Sequence, residues 1–379
     1  MNPLEERVAD LIRRRGSVPF REVMELALYD PEDGFYAHGG AGRRGDFLTS
    51  PEVGPLFGAV VAGALDRWWD ELGEPDPFVV VDAGAGPGTL ARAVLAATPA
   101  CGPALRYVLV DRSPTQRARH REHLPLVEPA SAFPPRRRSD DEDDETPAAP
   151  ARDGPVVVSL GELPRVDAAS VILANELLDN VPVHLLERTY DGWGEVYVTE
   201  DAGRWKPIVL PAAEPLAADA DRHAPSAAVG ARIPLQPDAA AWLRDAIESI
   251  TRGRIVVVDY ADTTPSMAAR RWTDWLRTYR AHGRGGGPLD DLGAQDITCE
   301  VAIDQLARLR PPDVMSTQAE WLAVHGLDAL VEEGRRTWSE RAYLGDLEAV
   351  RGRSRAGEAA ALVDPAGLGA FRVLEWIVG

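Results

Sequence analysis

Cysteine is scarce: Cys101 and Cys299 are the only two in 379 residues. Two thiols so far apart in sequence make neither a metal knuckle nor a disulfide scaffold, and they fit a reducing compartment. Long apolar runs are also missing. No window reaches the roughly 18 apolar residues that a membrane span requires. The opening MNPLEERVADLIRRRG is charged from Glu5 onward and has no apolar signal-peptide core. Glu5, Glu6 and Asp10 run against a mitochondrial leader too, because such segments are poor in acids. The expectation is a cytoplasmic protein that does not insert into membranes. Positive charge is the third shortage. Lys and Arg number 41 against 60 Asp and Glu, for a net charge of −19. That sign argues against nucleic acid as the partner, since binding it depends on neutralising phosphates. No internal repeat and no metal site are expected.

What is present is ordinary globular material, 45% hydrophobic and 27% charged. Apolar residues recur at helical spacing over Leu4–Arg15 and again over Val18–Leu28, a helical prefix. The stretch Tyr29–Pro51, YDPEDGFYAHGGAGRRGDFLTSP, is too long for an ordinary connector. Its aromatics Phe35, Tyr36 and Phe47 argue for order. After a helix over Pro55–Trp69, FVVVDAGAGPGTLARAVLAA gives a strand, a Gly-rich turn and a helix, and RYVLVDRSP a second strand ending at Asp111 before a helix over Thr115–His123. Alternating strands and helices predict an α/β fold with a parallel sheet. Residues 129–155, which include the acid run Asp140–Glu145, read as a disordered insertion with almost nothing to bury. The sheet resumes with VVVSL and SVILANELLDNVP. Short alternating segments over Val183–Leu210 mark antiparallel hairpins, Pro237–Ile250 a helix, Arg254–Asp262 a further strand and FRVLEWIVG a last one.

Gly84, Gly86 and Gly88 follow a strand and open a helix, where a ligand can approach backbone amides at the positive end of the helix dipole. Two features turn the motif away from a dinucleotide. Thr89 stands where the fingerprint wants a third packing glycine, and Pro87 removes an amide that a pyrophosphate would use. A ligand without phosphate, such as S-adenosyl-L-methionine, fits better. Asp111 ends the second strand where an acid accepts from ribose hydroxyls, with Arg112 and Ser113 directly after it. Asp82 is placed to bind the ligand's ammonium or to cap the turn. Leu160, after the third strand, flanks the adenine or belongs to the core.

The blocks GFYAHGGAGRRGDFLTSPEVGPLFG, VVDAGAGPGTLARAVL, ILANELLDNVPVHLLER, VVVDYAD and LRTYRAHGRGGGPLDDLGAQDITCEV, in this order, resemble the MidA-like methyltransferases. That family includes a mitochondrial complex I assembly methyltransferase. GDFLTSPE and ANELLDNVPVH are more specific than the glycine turn, which methyltransferases in general share. The resemblance implies a class I methyltransferase sheet of seven strands with the last reversed, and S-adenosyl-L-methionine as cofactor. It also implies methylation of a protein arginine, with a respiratory complex I subunit as the suggested target. On this basis residues 1–75 form a helical region with a Gly-rich lid loop. Residues 76–379 form the methyltransferase domain, with a substrate-side β insertion at 183–235. The chain departs from the family at Leu177, Leu178, Asn180 and Val181 around the Asn-Glu pair, at Asp111 where Glu is common, and at Ala261 where a glycine is usual.

If the acceptor is an arginine, carboxylates are wanted to orient the guanidinium and take the proton it releases. Glu176 and Asp179, beside Asn175, meet that need at the end of a predicted strand; the alternative is that both cap the following turn. The Gly45–Glu52 segment closes over the cofactor in the family-based reading, with Asp46, Thr49 and Ser50 as hydrogen-bonding groups and Pro51 stiffening the loop. His184 and His282 are further candidate bases. Asp259, Tyr260, Asp296 and Thr298 are candidate channel residues. A small-molecule methyltransferase, a non-catalytic assembly factor that keeps the fold and an NAD oxidoreductase are the competing functions, the last disfavoured by Thr89 and Pro87.

Overall fold

The computed structural model describes residues 2–38, 49–132, 154–280 and 283–379. Gly45–Leu48 of the expected lid, positions 133–153 of the expected insertion and the candidate base His282 lie outside the described residues. The chain forms two compact units, each assembled from separated stretches. One comprises Met1–Thr49, Asn175–Asp245 and Val258–Asp313; the other comprises Ser50–Ala174, Ala246–Val257 and Val314–Gly379.

In the first unit, helix α1 (Pro3–Arg15) opens with a capping box. Asn2 accepts from the Glu5 amide and Glu5 reaches back to the Asn2 amide. Glu5 and Glu6 in the first turn and three arginines in the last suit the helix dipole. Helix α2 (Phe20–Tyr29) starts two residues later than its apolar spacing suggests. Pro19 forces extended backbone on the residue before it, and Val18 and Pro19 instead pair with Val198 and Tyr197. The expected hairpins are present as strands His184–Thr189, Gly192–Asp201 and Arg204–Pro211, and Arg232–Leu235 adds to the first of them. Leu4, Val8 and Ile12, one face of α1, share a core with Val23, Met24 and Leu28 of α2 and with Val196, Val198, Trp275 and Ile297.

The second unit is built on a seven-stranded sheet. Its strands are β1 (Phe78–Ala83), β2 (Leu105–Val110), β3 (Val156–Leu160), β4 (Val166–Asn175), β5 (Ile250–Asp259), β6 (Val314–Thr317) and β7 (Arg372–Val378). They stand in the order β6-β7-β5-β4-β1-β2-β3. β1 runs parallel to β2 on one side and to β4 on the other, and β2 parallel to β3, whereas β7 lies antiparallel to β6. The last strand, β7, thus runs against its neighbour β6, and the order of the seven strands is the one on which the family resemblance can be judged. Every residue of β1 and β2 is buried, the signature of strands covered on both faces. Strand order turns back between β1 and β4, and ligands of open α/β sheets bind beyond the carboxyl ends at such a switch point. Helices α3 (Pro55–Glu71), α4 (Thr89–Ala96) and α5 (Pro114–His123) match the expected positions. The pair Leu327–Arg341 and Leu347–Leu362 was not anticipated. These two helices cross at Gly334 and Gly352, where a Cβ on either would lie 2.7 Å from the other's carbonyl, so their contact leaves only a weak apolar stripe to read.

Candidate functional site

In the second unit the glycine turn lies over the end of β2, because the amides of Gly84 and Ala85 both donate to the Val110 carbonyl, at 2.9 and 3.0 Å. Gly84, Gly86 and Gly88 have φ of +72°, +53° and +83°, backbone that an L side chain strains to adopt. The last two glycines serve different ends. A Cβ on Gly88 would lie 3.1 Å from Leu109 and 3.2 Å from Leu124, whereas a Cβ on Gly86 would meet nothing within 4 Å. Gly88 thus permits packing, and Gly86 leaves bare backbone facing open space. Gly88 is also the N-cap of α4 and supplies no side-chain cap, so the amides at the positive end of that helix keep their capacity for a ligand. Thr89, the first residue of α4, is half-buried.

Asp111 follows β2 and faces this turn. Its Oδ2 accepts from the Gly86 amide at 2.9 Å and its Oδ1 from the Ser113 amide at 2.8 Å. A carboxylate has about four acceptor positions, so two remain for a ligand's hydroxyls. Burial raises the Asp111 pKa, and those two amides oppose the rise. Ser113 is the N-cap of α5 and its hydroxyl accepts from the Gln116 amide. The Arg112 side chain is exposed, and Leu160 is half-buried with its carbonyl accepting from the Asp111 amide at 3.2 Å. Asp82 is 3% exposed and accepts from the Tyr107 hydroxyl at 3.2 Å; burial pushes its carboxyl up to about 7. Ser50 is turned inward. Its hydroxyl donates to Gln318 Oε1 at 2.9 Å, in a buried turn with Pro51 that packs against α3 and α4. Thr49 precedes it, half-buried.

The carboxylate segment belongs to the first unit. Asn175 closes β4, and its Nδ2 donates to Glu176 Oε1 at 3.0 Å. Glu176 stands at φ +51°, a strained value for a residue with a side chain, and its amide donates to the Val258 carbonyl at 2.8 Å. Asp259, fully buried, organises the next turn. Its Oδ2 accepts from the amides of Leu178 and Asp179 at 2.9 and 3.2 Å, and its Oδ1 from the Tyr260 amide at 2.8 Å. Asp179 is 1% exposed, and its Oδ1 has no hydrogen-bond partner among the described residues. Burial raises the pKa of both acids, and the charges of Asp179 and Glu176 push Asp259 further the same way. Asn180 extends the cluster, donating to Asp296 Oδ1 at 2.9 Å and accepting from the Tyr36 hydroxyl at 2.9 Å.

The residues expected from sequence thus form two groups, Asp82 to Ser113 with Leu160 in the second unit and Asn175 to Asp179 in the first. Asp259 was anticipated only as a channel residue; its use of both oxygens on backbone amides has no sequence signal beyond an acid at a strand end. His184 is fixed by its Nδ1 at 2.6 Å from Glu195 Oε1.

The strand order, the antiparallel last strand, and a glycine turn and acid at the ends of neighbouring strands define a class I methyltransferase. The chain belongs to the putative S-adenosyl-L-methionine-dependent methyltransferase family, whose profile matches residues 60–313, and its cofactor is S-adenosyl-L-methionine. It is 25% identical over 377 residues to "Protein arginine methyltransferase NDUFAF7, mitochondrial" of Mus musculus, covering 94% of this chain and 83% of that protein. The Homo sapiens protein of the same name is 24% identical over 329 residues, 83% of this chain and 70% of that protein. The native crystal structure of a Burkholderia thailandensis protein superposes with a TM-score of 0.77 at 26% identity, covering 99% of this chain and 91% of that one. A second crystal structure from that organism, of a "likely methyl transferase" with S-adenosyl-homocysteine bound, gives 0.76 at 28% identity, covering 98% and 91%.

One expectation is corrected. The relatives carry mitochondrial names, which overturns the cytoplasmic assignment. Of the acids counted against a leader, Glu5 and Glu6 cap and charge the first turn of α1, and Asp10 pairs with Arg13 along the same helix. No helix among the described residues is long and apolar enough to cross a membrane.

Proposed function

We propose that the protein transfers the methyl group to an arginine of a protein substrate, with Glu176 and Asp179 as its catalytic carboxylates and Asn175 orienting Glu176. The observation that carries this reading is Asp179 Oδ1: a fully buried carboxylate oxygen without a hydrogen-bond partner among the described residues, in a segment crowded with acids. Leaving such an atom unsatisfied is costly unless a donor arrives with the substrate. A guanidinium brings several N–H donors in a planar fork together with the compensating positive charge. Names of the relatives support the same acceptor.

When bound, S-adenosyl-L-methionine supplies an electrophilic methyl on a sulfonium. Asp111 would hold its ribose, the turn Gly84–Gly88 with Thr89 and Leu160 would form its bed, and Asp82 would pair with its ammonium. Arg112 and Ser113 would continue that bed by position, and Thr49, Ser50 and Pro51 are assigned to it on the family resemblance. A protonated guanidinium nitrogen is a poor nucleophile, so a carboxylate must orient it and accept its proton. Glu176 does the second task, and Asp179 the first.

The test is incubation of the purified protein with methyl-labelled cofactor and host lysate, then hydrolysis of the labelled band. Label recovered as methylarginine, and lost with Glu176→Gln, is the expected result. Label found only in small molecules would replace this reading with a metabolite methyltransferase.

A further inference from the structure

Gly86 is held at both its amide and its carbonyl. Its amide donates to Asp111 Oδ2 at 2.9 Å, and its carbonyl oxygen lies 2.8 Å from His120 Nε2. The other ring nitrogen of His120, Nδ1, is 2.8 Å from Ser159 Oγ. His120 is fully buried in α5, and Ser159 precedes Leu160 at the end of β3. A carbonyl can only accept, so Nε2 carries the proton and Nδ1 accepts from the serine hydroxyl, which fixes one neutral tautomer.

These bonds close a ring around the cofactor bed. Gly86 donates to Asp111, and the Asp111 amide donates to the Leu160 carbonyl. Its neighbour Ser159 orients His120, which donates back to Gly86. The peptide planes on either side of Gly86 are thereby both fixed, which sets its left-handed φ of +53° and points its bare face toward open space. We propose that His120 is a positioning residue for the cofactor, holding the glycine turn and the ribose acid Asp111 in one geometry through Gly86. It touches no reacting atom. Its effect is on affinity, because a turn that must order itself on binding loses the advantage of preorganisation.

Calorimetric titration of the full chain with S-adenosylhomocysteine tests this, independently of any acceptor. His120→Leu removes both hydrogen bonds at similar volume and should weaken the Kd about tenfold or more. His120→Gln keeps a donor for the Gly86 carbonyl and should recover most of that loss. Ser159→Ala leaves the ring unoriented and should weaken binding about threefold. Turnover at saturating cofactor, and the acceptor KM, should stay near the parent values in all three. A role confined to stability would lower the melting temperature of the ligand-free protein while leaving the Kd of the folded protein unchanged. Parental affinity in folded His120→Leu overturns the proposal; if that variant does not fold, parental affinity in Ser159→Ala does so.

Discussion

The amide of Glu176 donates to the carbonyl of Val258 at 2.8 Å from left-handed backbone, φ +51°. A glutamate in that conformation costs on the order of 1 kcal/mol or more, and such strain persists where the surroundings over-determine it. Glycine adopts the same backbone without strain. Glu176→Gly should therefore melt at or above the parent temperature while losing methyl transfer. Glu176→Gln should keep the cofactor-induced thermal shift and lose transfer by about 10²-fold or more, the scale of general-base catalysis. A Glu176→Gly protein that melts clearly below the parent, or a fully active Glu176→Gln, would count against the assigned role.

The acids of the same segment give a pH dependence with a definite sign. Burial raises Asp179 from its ordinary 3.8 to about 7. A cationic acceptor needs the ionised form, so the acceptor KM should fall as pH rises through about 7, measured at saturating cofactor. Stability runs the other way. The fold keeps a proton that the unfolded chain has already lost, so the contribution of Asp179 favours the fold at low pH and declines as pH rises from about 3.8 to about 7. Asp179→Asn should flatten the stability profile between pH 5 and pH 8, as read by denaturant titration at each pH. An unchanged profile would place the buried proton elsewhere.

Asp82, proposed as the partner of the cofactor's ammonium, makes a separate prediction. Its carboxyl, pushed up to about 7 by burial, is close to half protonated at neutral pH. An ammonium arriving beside it favours the charged form, so cofactor binding at pH 7 should release roughly half a proton. Calorimetry in buffers of different ionisation enthalpy measures this directly. Asp82→Asn should abolish the release, and a parent protein that releases none would leave Asp82 as a core partner of Tyr107 alone.

Much of this was legible before the structure because the signals were local. The β-branched runs that become β1 and β2 are buried along their whole length, and a glycine turn followed by helical spacing marks where α4 begins. What was hidden depends on contacts between segments distant in sequence. His120 lies 34 positions from Gly86 and 39 from Ser159, and nothing in the helical text of α5 marks it. Asp259 holds a turn 80 and 81 positions away. The helix pair crossing at Gly334 and Gly352 escaped because small residues, not an apolar stripe, make its contact. Ser50 shows the converse: a hydroxyl that looks available in the sequence is spent on Gln318.

The most direct test of the account is the structure of the full chain crystallised with S-adenosylhomocysteine. It predicts the ribose hydroxyls within hydrogen-bonding distance of Asp111, on the acceptor positions not used by Gly86 and Ser113, with the nucleoside lying over the bare face of Gly86. A nucleoside bound elsewhere, with its ribose held by other residues and Asp111 still engaged only by its two amides, would contradict it.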